Sequence, residues 1–334
     1  MPTSSNVIHL ASNNVWPFAL REGGYILVDA GLDGDLGGIE AWDALVEQAR
    51  GIGFAPSDVR AVVVTHEHID HAGLAARWAA EGAHIVAARA AWPALVAGYA
   101  GYWAQRNARL EELRRHGCPE DAVEAMAEAG TRLDLRWESC PAHALEDAAE
   151  RSTFALADGR TLRLIATSGH TPGHLVAFVD ETGELCSGDA LLPTTIPTPG
   201  LQFPGVIAGA GLSGSGDAPR WPSLPPFLAS VEAIAALRPT RILPGHGDAV
   251  EAPARLIEQF VTHHARRARQ VRDALASGEA LCAHEIARAL FPRLTGARIA
   301  QAMIEVIGHL DCLEADRLVR CESAGGVLRY ALDS

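Results

Sequence analysis

Seven side chains in this 334-residue sequence have the types and spacing to hold metal: His66, His68, Asp70 and His71 in one run, then His170, Asp189 and His246. Imidazole nitrogens and carboxylate oxygens are ligands that suit zinc and related divalent ions. Three histidines and an aspartate within six positions make little sense as core, because each polar head would need its own buried partner. One tetrahedral ion takes three or four ligands, so seven point to two ions sharing a bridge. His66 and His68, two apart on extended chain, can aim the same way. Asp70 and His71, further round the turn, can address a neighbouring ion. His170 and His246 arrive from other turns to complete one site each, and Asp189, with two oxygens, is the natural bridge.

These residues need strands to bring them together. The run Val62-Val63-Val64 reads as a buried strand that delivers Thr65 to Gly73 as a turn at its end. Val7 to Ser12, Val15 to Leu20 and Gly24 to Asp29 read as three short strands. The third ends in Val28-Asp29-Ala30-Gly31, where Asp29 is either an Asx-turn former or a group that orients the ligands from behind. Ile39 to Gly51 has helical spacing and Val59 to Val64 follows, so strand, helix, strand and ligands succeed one another as in a βαβ unit. Thr65 is a second candidate for orienting the ligand loop. From Arg89 to about Ala149 the chain reads as a helical insertion whose aromatics Trp92, Tyr99, Tyr102 and Trp103 form a helix–helix core, the alternative being that Tyr102 or Trp103 lines a pocket wall. Strand character returns at Ser152 to Leu156, Thr161 to Ala166, Leu175 to Asp180 and Glu184 to Cys186. Leu192 to Pro226, dense in Pro, Gly, Ser and Thr, reads as a substrate loop. Phe227 to Leu237 is a helix and Thr240 to Leu243 a strand that feeds Pro244-Gly245-His246-Gly247.

The tail is different in kind. Ala254 to Ala276, Ala283 to Leu290 and Ile299 to Leu310 read as three helices, with a hairpin around Ala324-Gly325-Gly326. That is the outline of a winged helix. The expected division is therefore 1–253 as catalytic domain, carrying the insertion at about 89–149 and the loop at about 192–226, and 254–334 as a winged-helix domain.

Hydrophobic content of 48% and charged content of 21% are ordinary for a globular protein. A formal net charge of −13 opposes broad attraction to nucleic acid. No apolar stretch spans a bilayer, and Met1 to Leu10 lacks a signal-peptide pattern. The six cysteines are scattered without a CxxC pair and read as reduced thiols, which places the chain in the cytoplasm with no membrane partner.

The sequence resembles the metallo-β-lactamase superfamily, whose H-x-H-x-D-H hallmark is matched by His66 to His71. Its later glycine-histidine, aspartate and P-G-H-G elements are matched by His170, Asp189 and His246, and the likeness runs from about Val7 to Glu251. The resemblance implies an α/β fold, an αββα sandwich of two mixed sheets flanked by helices. It implies one ion on His66, His68 and His170, a second on Asp70, His71 and His246, and Asp189 bridging. The run Gly169-His170-Thr171-Pro172-Gly173-His174 is similar to that of glyoxalase II-like members. The tail, with His263, His264 and Arg267 on its first helix, resembles a branch that contains a mitochondrial endoribonuclease and bacterial hydrolases.

Two adjacent divalent ions would acidify a bridging water at neutral pH, giving a hydroxide that attacks a carbonyl or phosphoryl centre. Asp70, besides ligating, is the expected catalytic residue that orients this nucleophile and takes its proton. His174 either hydrogen-bonds near the site or stabilises its own turn. The expected substrate is a small ester, thioester or lactone, with a metal-dependent endoribonuclease or phosphodiesterase as the alternative. Against nucleic acid, the third tail helix carries Glu305 and Asp311 beside Arg298, so the tail reads as a packing or dimerisation module, which leaves a homodimer open. Zinc is the expected metal, with iron and manganese open, since His and Asp accept all three.

Overall fold

The computed structural model describes residues 6–11, 13–129, 135–208 and 219–333. Strands β1 (Ile8–Leu10), β2 (Asn13–Ala19) and β3 (Tyr25–Val28) form an antiparallel meander, followed by the short β4 (Asp33–Gly34) and helix α1 (Ala41–Ile52). The chain then enters β5 (Val59–Val63), turns through α2 (Ile69–Ala72) and α3 (Ala75–Ala80), and returns in β6 (His84–Ala87). Helices α4 (Trp92–Ala97), α5 (Tyr99–Arg115) and α6 (Glu120–Ala129) make up the insertion, after which β7 (Leu135–Arg136) pairs with β4. β8 (Leu145–Asp147) lies parallel to β6 and completes a six-stranded mixed sheet in the order β1-β2-β3-β5-β6-β8.

A second mixed sheet follows. β9 (Thr153–Ala155), β10 (Thr161–Ala166), β11 (Leu175–Val179) and β12 (Glu184–Gly188) are antiparallel neighbours. After α7 (Pro204–Ala208) and α8 (Leu224–Ala236), β13 (Arg241–Pro244) joins β12 in parallel. The tail holds α9 (Pro253–Ala274), α10 (Ala283–Leu290), α11 (Ala297–Ala315) and the hairpin β14 (Val319–Ala324) and β15 (Val327–Leu332).

Side-chain alternation explains the layering. Ile26, Val28, Ala61 and Val63 point between the sheets, where they meet Leu162, Leu164, Ala177 and Leu243. Leu27, Val62 and Ile85 point the other way, onto Trp42, Leu45 and Trp78 of α1 and α3. On the far side, Val176, Phe178 and Ile242 pack under Phe227, Val231 and Phe260 of α8 and α9. The inner part of β5, Ala61-Val62-Val63, and the following Val64 are buried and continuously apolar, which is why Val62-Val63-Val64 reads as a buried strand. The result is an α/β sandwich of two mixed sheets flanked by helices, as expected.

The expected helical stretch from Arg89 to Ala149 is not α-helical in its last part, where β7 and β8 lie. The segment Leu145-Glu146-Asp147 has no strand signature of its own. It is extended because its backbone completes the open edge of β6, a case of tertiary pairing overriding propensity. The expected loop at 192–226 contains α7, and α8 begins at Leu224 rather than Phe227. Pro225 and Pro226 sit in its first turn, where a missing N–H costs nothing. Residues 209–218 of that loop lie outside the described residues.

The tail does not stand apart from the insertion. Leu113 and Val123 of α5 and α6 share one apolar cluster with Val271, Ile286, Met303 and Ile307 of the tail helices. Arg220 clamps the same junction, bonding to Glu112 at 3.0 Å and to both oxygens of Asp311 at 2.6 and 2.5 Å. On the other face of α11, Glu305 accepts from His263 at 2.6 Å and Arg267 at 3.0 Å. No helix among the described residues is long and apolar enough to cross a membrane.

This packing can be checked in two ways. Gly169 has φ +147°, and an added Cβ would lie 2.2 Å from Phe227 Cα on α8, whereas Gly159, at φ +89°, has open space around it. In urea unfolding, Gly159→Ala should cost about 1 kcal/mol from backbone strain alone, and Gly169→Ala at least about 2 kcal/mol more; equal losses would mean α8 is not seated against that turn. Burial pushes the carboxyls of Glu112 and Glu305 up, but the hydrogen bonds and charges of His116 and Arg220, and of His263 and Arg267, outweigh it and hold both at about 2. A depressed folded value stabilises above the ordinary carboxylate range and is lost as pH falls towards 2. Urea midpoints of the double variant Glu112→Gln/Glu305→Gln should therefore lie below wild type at pH 6 and converge on it as pH falls from about 4.5 to 2.

Candidate metal centre

All seven expected ligands come to one edge of the sandwich, each just past the carboxyl end of a strand. His66 to His71 follow β5, His170 follows β10, Asp189 follows β12 and His246 follows β13. They fall into two groups, His66, His68, His170 and Asp189 in one and Asp70, His71 and His246 in the other, each with ligand atoms within 4.8 Å of one another.

In the first group, His68 Nδ1 lies 3.0 Å from His66 Nε2 and 3.1 Å from His170 Nε2. The tautomer of His66 can be worked out. Thr65 Oγ1 must donate its single proton to Asp29 Oδ1, 2.7 Å away, because a carboxylate only accepts. Thr65 Oγ1 therefore accepts from His66 Nδ1 at 3.0 Å, which leaves His66 Nε2 as a bare lone pair aimed into the cluster. The other carboxylate oxygen of Asp29 accepts from His71 Nδ1 at 2.8 Å, which leaves His71 Nε2 facing the second group. Asp29 also takes the Thr65 backbone N–H at 2.9 Å, so one buried carboxylate orients two ligands and the start of their loop. Its φ of +71° is unusual for a residue other than glycine and is held by these three bonds.

In the second group, His71 Nε2 is 3.2 Å from His246 Nε2 and 3.7 Å from Asp70 Oδ2, and His246 Nε2 is 3.4 Å from Asp70 Oδ2. Asp189 touches both groups. Its Oδ2 is 3.7 Å from His170 and 3.5 Å from His246, and its Oδ1 is 3.4 Å from His71. That Oδ1 is buried without a hydrogen-bond donor. Converging lone pairs and a donorless buried carboxylate oxygen are unfavourable unless a cation sits among them. A tetrahedral ion with nitrogen ligands at about 2.0–2.1 Å keeps those nitrogens roughly 3.3 Å apart, close to the spacings found. The residues present fit divalent metal.

The electrostatics differ between the groups. Burial first, and then repulsion from neighbouring histidines, pushes His66 and His68 far down, and burial pushes His170 down against the pull of Asp189, so these three imidazoles are neutral and ready to ligate. Burial also opposes charge on His71 and His246, but the carboxylates of Asp29, Asp189 and Asp70 around the first, and Asp189 and Asp70 at the second, win. They lift them to about 9 and about 11. Asp70 and Asp189 are held well below the carboxylate range, chiefly by His71 against the cost of burial. His174, pushed to about 3 by burial and then by His170, turns Nδ1 to Thr167 Oγ1 at 2.9 Å and is packed near His66 rather than in either group.

Several neighbours of the site were not singled out by sequence. Asn13 Nδ2 donates to Asp70 Oδ2 at 3.3 Å, and Asn14 Nδ2 donates to the Pro244 and Gly247 carbonyls at 3.0 and 2.7 Å, fixing the His246 turn. The available signal was a polar pair opening an apolar strand. Glu67, between two ligands, accepts from Thr171 Oγ1 at 2.7 Å and Gly173 N at 3.2 Å, locking the two ligand loops together. Beside the cluster, a cavity of about 250 Å³ is bounded by His68 and Asp70 on one side and by Ala94, Tyr102, Trp137 and Ile207 on the other. Tyr102 thus lines the pocket, whereas Trp103 meets Tyr99 and Tyr102 edge-on and lies under the Arg106 guanidinium.

Comparison with known proteins agrees with this geometry. Residues 12–246 match the family described as the metallo-beta-lactamase superfamily. The chain is 27% identical over 320 residues to the probable metallo-hydrolase YqjP of Bacillus subtilis (strain 168), covering 96% of this chain and 94% of that one. A crystal structure of a metallo-beta-lactamase family protein from Thermus thermophilus superposes with a TM-score of 0.70 at 26% identity, covering 100% of this chain and 96% of that one. A beta-lactamase domain protein from Burkholderia ambifaria superposes with a TM-score of 0.67 at 23% identity, over 100% of this chain and 89% of that one.

Removing the shared orienting carboxylate tests the arrangement. Asp29→Ala should weaken metal retention about 10- to 100-fold in chelator competition while the fold persists by circular dichroism. Unchanged retention would show that the orientation of His66 and His71 does not depend on it.

Proposed function

Because the chain belongs to the metallo-beta-lactamase superfamily and is a metal-dependent hydrolase, we propose that it cleaves a small ester, thioester or lactone at a two-ion centre. His66, His68 and His170 would hold one ion, Asp70, His71 and His246 the other, and Asp189 would be shared between them. Bound there, divalent ions supply Lewis acidity, which lowers the pKa of water towards about 7 and polarises an acyl oxygen; zinc is our first choice, with iron and manganese suited to the same donors.

The protein's own contribution centres on Asp70. Its carboxylate is ionised at neutral pH, held by His246 and by the Asn13 amide, and part of it remains open to the cavity. From that position it orients the attacking water and accepts a proton from it. Water's oxygen joins the acyl carbon, the acyl–oxygen or acyl–sulfur bond breaks, and the leaving alkoxide or thiolate takes a proton from solvent. Ala94, Trp137 and Ile207 give the acyl chain an apolar wall and keep bulk water off it.

The observation that carries the substrate class is the size and lining of that cavity, which at about 250 Å³ suits a small, partly apolar molecule. The tail supports the same reading. We read α9 to α11 and the hairpin as a winged helix used for packing, because His263 and Arg267 turn inward to Glu305 and Asp311 is engaged by Arg220. The run Gly169 to His174, similar to that of glyoxalase II-like enzymes, fits a thioester among the candidates.

A metal-loaded preparation assayed on a thioester and lactone panel, single-stranded RNA and bis(p-nitrophenyl) phosphate decides the class. Turnover of a thioester or lactone is expected, with Asp70→Asn lowering kcat about 10²- to 10⁴-fold. Cleavage of RNA alone, lost in Asp70→Asn, would overturn the acyl reading.

A further inference from the structure

We propose that Arg109 anchors a free carboxylate on the substrate, so that the acyl compound hydrolysed carries an anionic group on the side away from the scissile bond. The inference rests on the acyl-hydrolase reading and adds what the substrate must carry.

Arg109 stands on α5 and borders the same cavity as the metal ligands His68 and Asp70. Its position is fixed from two sides. Arg109 Nε donates to the Leu201 carbonyl at 2.9 Å, and Nη2 reaches Gln202 Oε1 at 3.4 Å. One turn earlier, the Gln105 side-chain amide is bonded at both ends to the Phe203 backbone at 3.0 Å, which ties α5 to this segment. A guanidinium has five N–H donors. Two are used here, and the Nη1 pair with the remaining Nη2 proton meet no acceptor among the described residues.

Its lack of a counter-ion sets Arg109 apart. Arg220 and Arg267 each face a carboxylate, in Asp311 and Glu305. Arg109 makes no salt bridge among the described residues. Glu67 acts on it without forming a bond to it, and both Glu67 oxygens accept instead from Thr171 and Gly173. An enclosed cation without a partner is costly and is retained where a ligand supplies the missing charge.

The free edge of a guanidinium matches a carboxylate through two parallel hydrogen bonds. A single guanidinium carries one positive charge and so balances a monoanion, whereas a dianionic group held there would keep one negative charge uncompensated by Arg109. Arg109, His68 and Asp70 line one cavity together with the apolar Ala94, Trp137 and Ile207, and such a lining suits a short molecule with a carboxylate at one end and the reacting acyl group at the other. Half-esters or half-thioesters of dicarboxylic acids have this form, as do lactones that bear a carboxylate.

The test has a binding arm and a kinetic arm on metal-loaded full-length protein. By calorimetry, at least one dicarboxylate from succinate to pimelate should bind about 10- to 100-fold tighter than the straight-chain monocarboxylate of the same length. That advantage should vanish in Arg109→Met and return in part in Arg109→Lys, with melting temperature and metal content monitoring the fold. In the kinetic arm, mono-p-nitrophenyl adipate should be preferred over p-nitrophenyl hexanoate by a similar factor, lost in Arg109→Met mainly through KM. A dicarboxylate advantage that depends on Arg109 with neither ester turned over would sink the hydrolytic substrate reading and uphold the carboxylate site. No advantage in wild type, or one unchanged in Arg109→Met, would overturn the proposal even if both esters are cleaved, and the wild-type arm needs no variant to fold.

Discussion

The geometry of the site depends on one buried carboxylate that ligates nothing in either group. Asp29, at the end of β3, accepts hydrogen bonds from the backbone and hydroxyl of Thr65 and from His71, so the ligand loop after β5 is held by its neighbouring strand. Without it, Thr65 would have no reason to accept from His66, and neither His66 nor His71 would be committed to presenting Nε2. The parallel pairing of β3 with β5 places the carboxylate and the loop side by side. An αββα sandwich thus makes a precise cluster from loops because each loop is short, starts at a strand end and is tied to the loop beside it.

The same logic extends outward. Glu67 joins the His66 loop to the His170 loop, and Asn14 joins β2 to the His246 turn. On the open side, α5 forms the cavity wall and is braced from behind by the tail. Leu113 lies in the tail's apolar cluster, and Glu112 is held by Arg220, which in turn holds Asp311 of α11. In our reading the tail therefore acts on function through stiffness, by keeping Arg109 and Tyr102 at fixed distances from the metal cluster.

Much of this was legible in the order of residues, for identifiable reasons. Val62-Val63-Val64 followed by His66 to His71 combines a two-face-buried strand with donors that no core would accept, and both signals are local. His170, Asp189 and His246 were legible because each follows its own apolar strand. What could not be read is carried by pairs far apart in sequence. The partners of Asn13, Asn14 and Glu67 lie 57, about 230 and about 105 positions away, and no local pattern marks them. Arg109 looks like any solvated arginine on an alanine-rich helix until Leu201 and Gln202 are seen beside it. β8 was hidden for the related reason that its extended form is imposed by β6.

The proposal that these seven side chains form one centre for two ions is tested most directly by anomalous X-ray scattering from zinc-loaded crystals. Two peaks per chain are predicted, one enclosed by His66, His68 and His170 and the other by Asp70, His71 and His246, with Asp189 between them. A single peak, or strong peaks away from this edge of the sandwich with none at it, would contradict it.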